Sequence, residues 1–415
     1  MTKQIILLTI LSVFTFSLFS QNRVELQRGQ IDTIYSKILN EKRELWVYQP
    51  NEISSNKKYP VIYLLDGNYH FHTVVSMVEQ LSTGGNDVLP KMIIVAIPNT
   101  NRRRDLSPTN PDITHPFSST EFEAGGDKFL SFIENEVFSH INSKYKTAPY
   151  KVFIGHSLGG LLVMHTLNKK PNLFNSYVAI DPSMWWSKRK LLNTIKNKKL
   201  SKDLNNKSLF LAIANTMPNN LDTLTVKNDK SYQTDPIRAN LELDSLFNTK
   251  KNIINFSSKY YANESHGSLP LIAEYDALHF IFSFYDIKID NKNYFDESYD
   301  IYSKVVNHFD KISKKMGYEI KPEEDYINGL GYDFLVLKQY EKSKKFFVLN
   351  TINYPKSYNA FDSLGDFYSN INEYEKAVEC YLKSITLDAN SPSKEKLKNL
   401  SKKKRCITKN EDDSN

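Results

Sequence analysis

Phe153-Ile154-Gly155-His156-Ser157-Leu158-Gly159-Gly160 is the stretch that decides the fold. A short apolar run, Lys151–Ile154, precedes it, and helical spacing follows over Leu161–Leu167. A G-x-S-x-G placed between strand and helix lifts a serine onto a sharp turn. Gly155 and Gly159 lack side chains, as such a turn demands. The helix behind the serine points its N-terminus at the site, which favours developing negative charge. Ser157 is therefore the candidate nucleophile. His156 shares the same turn and reads as a packed neighbour, badly placed to accept the serine proton.

Working outward, further short apolar runs appear at Val61–Leu65, ending in Asp66-Gly67, at Met92–Ile97, and at Tyr177–Ile180, ending in Asp181-Pro182. Leu209–Ala214 and Ile253–Tyr261 follow, and two strand-like stretches lie earlier, near Thr33–Leu39 and Arg43–Tyr48. Continuous short apolar runs are the mark of parallel strands buried on both faces. Helical patterns alternate with them at Thr73–Leu81, Phe122–Ile141, Leu158–Asn168, Ile237–Phe247 and Leu269–Phe284. The expectation is one α/β domain over about residues 21–288, a mostly parallel sheet with helices on both faces.

A serine needs a base to attack near neutral pH. On such a sheet the chain order is serine, acid, histidine. Past the elbow, with His165 on its helix set aside, His266, His279 and His308 remain. His266 lies in a polar loop directly after the last strand and is the candidate base; His279 and His308 sit within helical patterns. The acid is expected in the loop after Leu209–Ala214, which offers Asp222, Asp229 and Asp235. Asp222 is nearest the strand end and is preferred, Asp229 is next, and Glu264 beside His266 is a further candidate. Two backbone donors should hold an oxyanion. One is the amide of Leu158, and the other is among Gly67, Asn68 and Tyr69. Asp66 should turn away from that charge. Arg102 and Arg104 are candidate contacts to an anionic substrate group, and Trp185 and Trp186 are candidates for stacking.

Tyr59–Gly67, the Asn99–Pro108 segment with Arg102, Arg104, Asp105 and Leu106, the Ser157 elbow, Asp181–Trp186 and the His266-Gly267-Ser268 loop occur in a set order. Together they resemble the Putative esterase family of α/β-hydrolases over about residues 25–285, a family similar to esterase D, feruloyl esterases and siderophore esterases. The resemblance implies carboxylic ester hydrolysis through an acyl-enzyme, on a small-molecule ester, with no cofactor and no metal. It does not fix the acid.

From about Asn291 the pattern changes. No strand-like runs occur, and the segment matches itself at an offset of 34 residues. Leu330-Gly331 aligns with Leu364-Gly365, Tyr340-Glu341-Lys342 with Tyr374-Glu375-Lys376, and Phe347 with Tyr381. Ser343 and Ala377 fall where two helices must approach closely. This resembles the tetratricopeptide repeat. Two all-helical units are expected over 323–390, with a linking helix in 289–322 and a polar, disordered tail over 391–415. A protein partner is the expected ligand of 323–390, so the rival to an active hydrolase is a partner-binding scaffold whose α/β domain is weakly active or inactive.

At the N-terminus Lys3 precedes an apolar run, Ile5–Phe19, which ends in Ser20-Gln21. It reads as a signal peptide over 1–20, too short for a comfortable membrane span, which predicts a periplasmic or secreted protein with no stable span in the mature chain. The two cysteines, Cys380 and Cys406, make neither a disulfide framework nor a zinc site. With 40% hydrophobic and 24% charged residues, disorder is excluded. The net charge of +7 gathers in two runs, Lys188–Lys202 and Lys402–Arg405, which read as solvated surface and give no nucleic-acid partner.

Overall fold

The computed structural model describes residues 28–50, 57–83, 88–118, 120–198 and 202–400. The expected signal peptide and the Lys402–Arg405 run lie outside them. Eight strands form one sheet: β1 (Gln30–Ser36), β2 (Glu41–Tyr48), β3 (Tyr59–Leu65), β4 (Ile93–Ile97), β5 (Thr147–His156), β6 (Ser176–Ile180), β7 (Ser208–Ala214) and β8 (Asn255–Tyr261). Their spatial order is β1-β2-β4-β3-β5-β6-β7-β8. β2 runs antiparallel to β1 and β4, and every pairing from β4 to β8 is parallel.

Successive residues of a strand point to opposite faces, so the apolar run of β3 feeds two cores. Val61, Tyr63 and Leu65 pack on one face of the sheet, and Ile62 and Leu64 on the other. The first face is covered by α2 (Gly126–Phe132), α3 (Phe138–Lys144), α4 (Leu158–Lys169), α5 (Trp186–Asn197) and α6 (Asp235–Asn248). The second is covered by α1 (Gly67–Leu81), α7 (Leu269–Ile281) and the C-terminal half of α8 (Ile301–Met316). The helix expected over Phe122–Ile141 begins at Gly126 and carries a π segment, Ile133–Val137, between α2 and α3. α5 was not visible as a pattern, and Ser187, Lys188 and Arg189 enter it through left-handed backbone.

Four helices form the repeat region: α9 (Glu324–Val336), α10 (Tyr340–Asn353), α11 (Tyr358–Asn370) and α12 (Tyr374–Leu387). Gly331 and Gly365 sit where the paired helix crosses. A Cβ there would lie 2.7 Å from Phe347 or 2.5 Å from Tyr381. The expected disordered tail starts too early at 391, because residues 393–400 are helical. Ser393 Oγ donates to Asp362 at 2.5 Å, Lys396 bridges Asp362 and Asp366 at 2.6 Å, and Leu397 and Leu400 pack on Ala377 and Tyr381. This helical segment packs on the second helix pair of the repeat region.

Candidate active site

Three neighbouring parallel strands end at the site, each on a residue of positive φ: Asp66 after β3 (54°), Ser157 after β5 (61°) and Asp181 after β6 (37°). Such backbone is strained for residues with a Cβ and clusters at functional sites. At the elbow the strain is enforced from both sides. A Cβ on Gly155 would sit 2.5 Å from the Gly159 backbone, and one on Gly160 would sit 3.0 Å from Pro182. The Ser157 amide donates to Ile180 O at 2.9 Å, and its carbonyl accepts from Leu161 and Ser183 at 2.9 and 3.0 Å. Its Oγ lies 3.4 Å from Ser183 Oγ.

His266 stands in the loop after β8, as expected, with its side chain 46% exposed. Nδ1 is 2.6 Å from Asp181 Oδ2. That contact leaves Nε2 as the nitrogen able to take a proton. Asp181 is 3% exposed, and its other oxygen accepts from Ala214 N at 3.2 Å and Asn240 Nδ2 at 2.9 Å. The partner of the imidazole is thus rigidly held between β6, β7 and α6.

Asp222 does not meet His266, which corrects the sequence expectation. Its Oδ1 accepts from Leu224 N, Thr225 N and Thr225 Oγ1 at 2.7–2.9 Å, and these bonds hold its carboxyl below the usual carboxylate range. Asp229 likewise serves its own turn, accepting from Ser231 N and Thr234 Oγ1. Asp235 pairs with Arg189. Glu264 joins the loops after β7 and β8 through its carbonyl, which accepts from Asn215 N at 2.9 Å. The sequence marks Asp181-Pro182 only as the end of β6, and the expected acid lies one strand further on, after β7.

The first turn of α1 narrows the oxyanion candidates. The amides of Tyr69 and His70 are already engaged by Asp66 O at 2.9 and 3.4 Å, so Tyr69 is removed from the set. The amides of Gly67, Asn68 and Leu158 have no protein acceptor among the described residues and open two helices. Gly67 is obligatory in this position, since a Cβ would fall 2.9 Å from Ala96 and Ile97. Asp66 is buried beside the elbow. Arg102 clasps it with Nε–Oδ1 2.6 Å and Nη2–Oδ2 2.9 Å, and Asn99 Nδ2 adds a bond of 2.6 Å. Burial pushes this carboxyl up, but Arg102 and Asn99 more than reverse it, and the group titrates below its ordinary value.

Arg102 is therefore already paired with a carboxylate, although a third of its side chain is exposed, with a further bond of 3.2 Å to His156 O. Arg104 is committed too, to Asp105 at 2.7 Å and Glu41 at 2.8 Å, in a network around the buried Arg43. Both arginines expected as anion contacts are about a third exposed and already carry carboxylate partners. Trp186 is buried and donates from Nε1 to Thr109 O at 2.9 Å, which makes it core. Trp185 is half-buried and stacks on His115 at 4.5 Å with Phe117 against its edge. Of the lysine run, Arg189 and Lys196 pair with Glu242 at 3.0 and 2.9 Å, as surface does.

A family profile described as Putative esterase matches residues 36–266, more than half of the chain. The chain belongs to the Putative esterase family. A second profile, Tetratricopeptide repeat, matches residues 358–391. A siderophore triacetylfusarinine C esterase of Aspergillus fumigatus is 31% identical over 35% of this chain and 52% of that protein. The ferri-bacillibactin esterase BesA of Bacillus subtilis is 28% identical over 41% of this chain and 63% of that protein. The chain thus spans about half to three-fifths of the length of these curated relatives. The crystal structure of an IroE-like serine hydrolase from Shewanella oneidensis aligns at a TM-score of 0.62 and 29% identity, covering 78% of this chain and 99% of that one. The family's profile contains the elbow, Asp181 and His266 within its span.

Proposed function

We propose that the protein is an exported serine ester hydrolase working through Ser157, His266 and Asp181. The 2.6 Å contact between His266 Nδ1 and Asp181, beside the strained Ser157 elbow, carries this reading. Asp181 fixes the tautomer and orientation of the imidazole and stabilises the imidazolium that forms. His266 Nε2 takes the Ser157 proton as Oγ attacks the ester carbonyl. The tetrahedral oxyanion rests on the amides of Leu158 and of Gly67 or Asn68. His266 then returns the proton to the leaving alkoxide, giving an acyl-enzyme and alcohol. Water, deprotonated by His266, hydrolyses the acyl-enzyme and restores Ser157.

Of the relatives named above, one is a siderophore triacetylfusarinine C esterase and another a ferri-bacillibactin esterase, and a siderophore-type ester is the substrate class we propose. The half-buried Trp185, stacked on His115 three residues from Asp-Pro at the site, suits a flat acyl or aryl group better than the internally paired Arg102 and Arg104 suit an anion. Export rests on the Lys3 and Ile5–Phe19 pattern, and among the described residues no helix is long and apolar enough to cross a membrane. The repeat region is proposed as an accessory partner-binding unit.

The test is hydrolysis of p-nitrophenyl esters and of trilactone siderophores, with labelling by a fluorophosphonate probe. Ser157→Ala should abolish both. Turnover by Ser157→Ala at the wild-type rate would reject the assignment.

A further inference from the structure

Behind the site lies a buried polar array that the mechanism above does not use. Glu274, on α7, is 0% exposed. Its Oε1 is 2.8 Å from Nδ1 of His70 on α1. This is an ion-pair approach rather than a well-aligned hydrogen bond, and no other donor reaches either carboxylate oxygen among the described residues. His70 lies 6.1 Å, ring to ring, from His156, and His156 lies 4.5 Å from His266. Three imidazoles thus run from the buried carboxylate to the base.

The position of each member in the chain gives the array its meaning. His70 lies in the first turn of α1, one residue beyond Tyr69 and close behind Gly67 and Asn68, whose amides are the oxyanion candidates. Glu274 stands two turns beyond His266, on the helix which that loop enters. α1 and α7 pack against each other. The pair therefore joins the donor side of the site to the base side from beneath. A carboxylate taken fully out of water is costly unless it is paired, so a site with only one partner fixes the spacing of the two helices closely.

The charged groups facing the pair are Asp66 and Arg102 from the β3 and β4 ends, and the titratable ring of His156 faces it from the β5 end. Burial disfavours protonated His70, but Glu274 and then Asp66 outweigh it and raise its pKa. Burial raises Glu274, and His70 partly offsets this. His156 is pushed down to about 3 by burial and by the neighbouring His266 and His70. It is a neutral spacer ring at working pH, and its Nε2 is buried without a partner.

We propose that His70 and Glu274 are positioning residues of the reaction, clamping the first turn of α1, with its oxyanion amides, at a fixed distance from the loop that carries His266. This rests on the serine hydrolase reading. A misplaced donor costs turnover more than ground-state binding, because the donors meet their full partner only in the transition state. Glu274→Gln and His70→Gln should each lower kcat about 10- to 100-fold with KM within about threefold. A boronic acid that mimics the tetrahedral intermediate should lose affinity in parallel with kcat/KM. Because the pair acts as a unit, the double Gln variant should be little worse than either single one.

A buried ion pair can be replaced by apolar residues without loss of stability, so His70→Leu combined with Glu274→Met keeps the idea testable if the single variants misfold. That double variant should fold and remain slow. Wild-type kcat in it, or in Glu274→Gln, overturns the clamp and leaves a purely structural pair. Failure of the hydrolase reading itself is distinct: the wild-type chain would then turn over no ester, or Ser157→Ala would turn over as well as wild type, before any clamp variant is compared.

Discussion

At the scale of single residues, the site separates two aspartates that look equivalent in sequence. Asp181 has one oxygen on β7 and α6 donors and the other on His266, while Asp222 spends its carboxylate on three donors of its own turn. Asp181→Asn should therefore lower kcat by about 10³- to 10⁴-fold, since an amide favours the wrong imidazole tautomer. Asp222→Asn should stay within about threefold of wild type. Steady-state kinetics on one chromogenic ester decides between them, and the reverse ranking would return the acid to the loop after β7. The proposed nucleophile and base each have a local signature: glycines around a serine between strand and helix, and a histidine in a polar loop after the final strand. The acid has no such signature. It stands 85 residues from His266 in the chain, at the end of β6, two strands across the sheet from β8, and only the folded sheet brings the two together. The arginines misled for a related reason. Sequence shows that Arg102 and Arg104 are near the site, but not that Asp66, Asp105 and Glu41 are waiting for them.

At the scale of elements, the strands were readable from apolar runs, and the repeat helices from a 34-residue offset that marks helix crossings. α5 was not, because its lysine-rich face hides the few apolar residues, Leu191, Leu192 and Ile195, that it buries. The crossing positions make a sharp prediction. Gly365→Ala adds a methyl 2.5 Å from Tyr381. Overpacking of that kind costs about 1–3 kcal/mol, and helix propensity returns only about 0.5–1 kcal/mol. The repeat region should melt earlier with ester hydrolysis unchanged; an unaltered melt would mean that α11 and α12 do not cross this closely. A second prediction concerns the start of β2. Glu41 is desolvated, yet Arg104 and Arg43 hold its carboxyl down at about 2 against an ordinary 4.5. A depressed folded-state pKa stabilises above the ordinary value and the benefit is lost as pH falls toward the folded one. Wild type should exceed Glu41→Gln in urea midpoint at about pH 7, with the gap narrowing below about pH 4.5 and closing near pH 2. A pH-independent gap would assign the loss to packing.

At the scale of the whole molecule, α8 is the element that makes one body of two folds. Ile301 and Val305, in its first half, pack with Ile327, Leu330, Phe334 and Phe346 of the repeats. Ile312 and Met316, in its second half, are buried with Ala277, Ile281, Phe282 and Tyr150 against the sheet. The expected boundary near 288 therefore cuts through the core of the α/β domain. Burying an isoleucine or methionine is worth about 1.5–3 kcal/mol, so α8 supplies roughly 3–6 kcal/mol to a domain whose total stability is about 5–15 kcal/mol. A chain ending at residue 321 keeps Ile312 and Met316 on the sheet, so kcat/KM should stay near that of the full protein even though Ile301 and Val305 are uncovered. A chain ending at residue 290 uncovers Phe282 and Ile281 and should aggregate, or lose several kcal/mol in chemical denaturation. Equal denaturation curves for the two would show that α8 belongs to the repeats alone. A loss of kcat/KM at 321 with stability intact would show instead that the repeats act on the site, through α8 and the Phe282 face beneath α7, which bears Glu274.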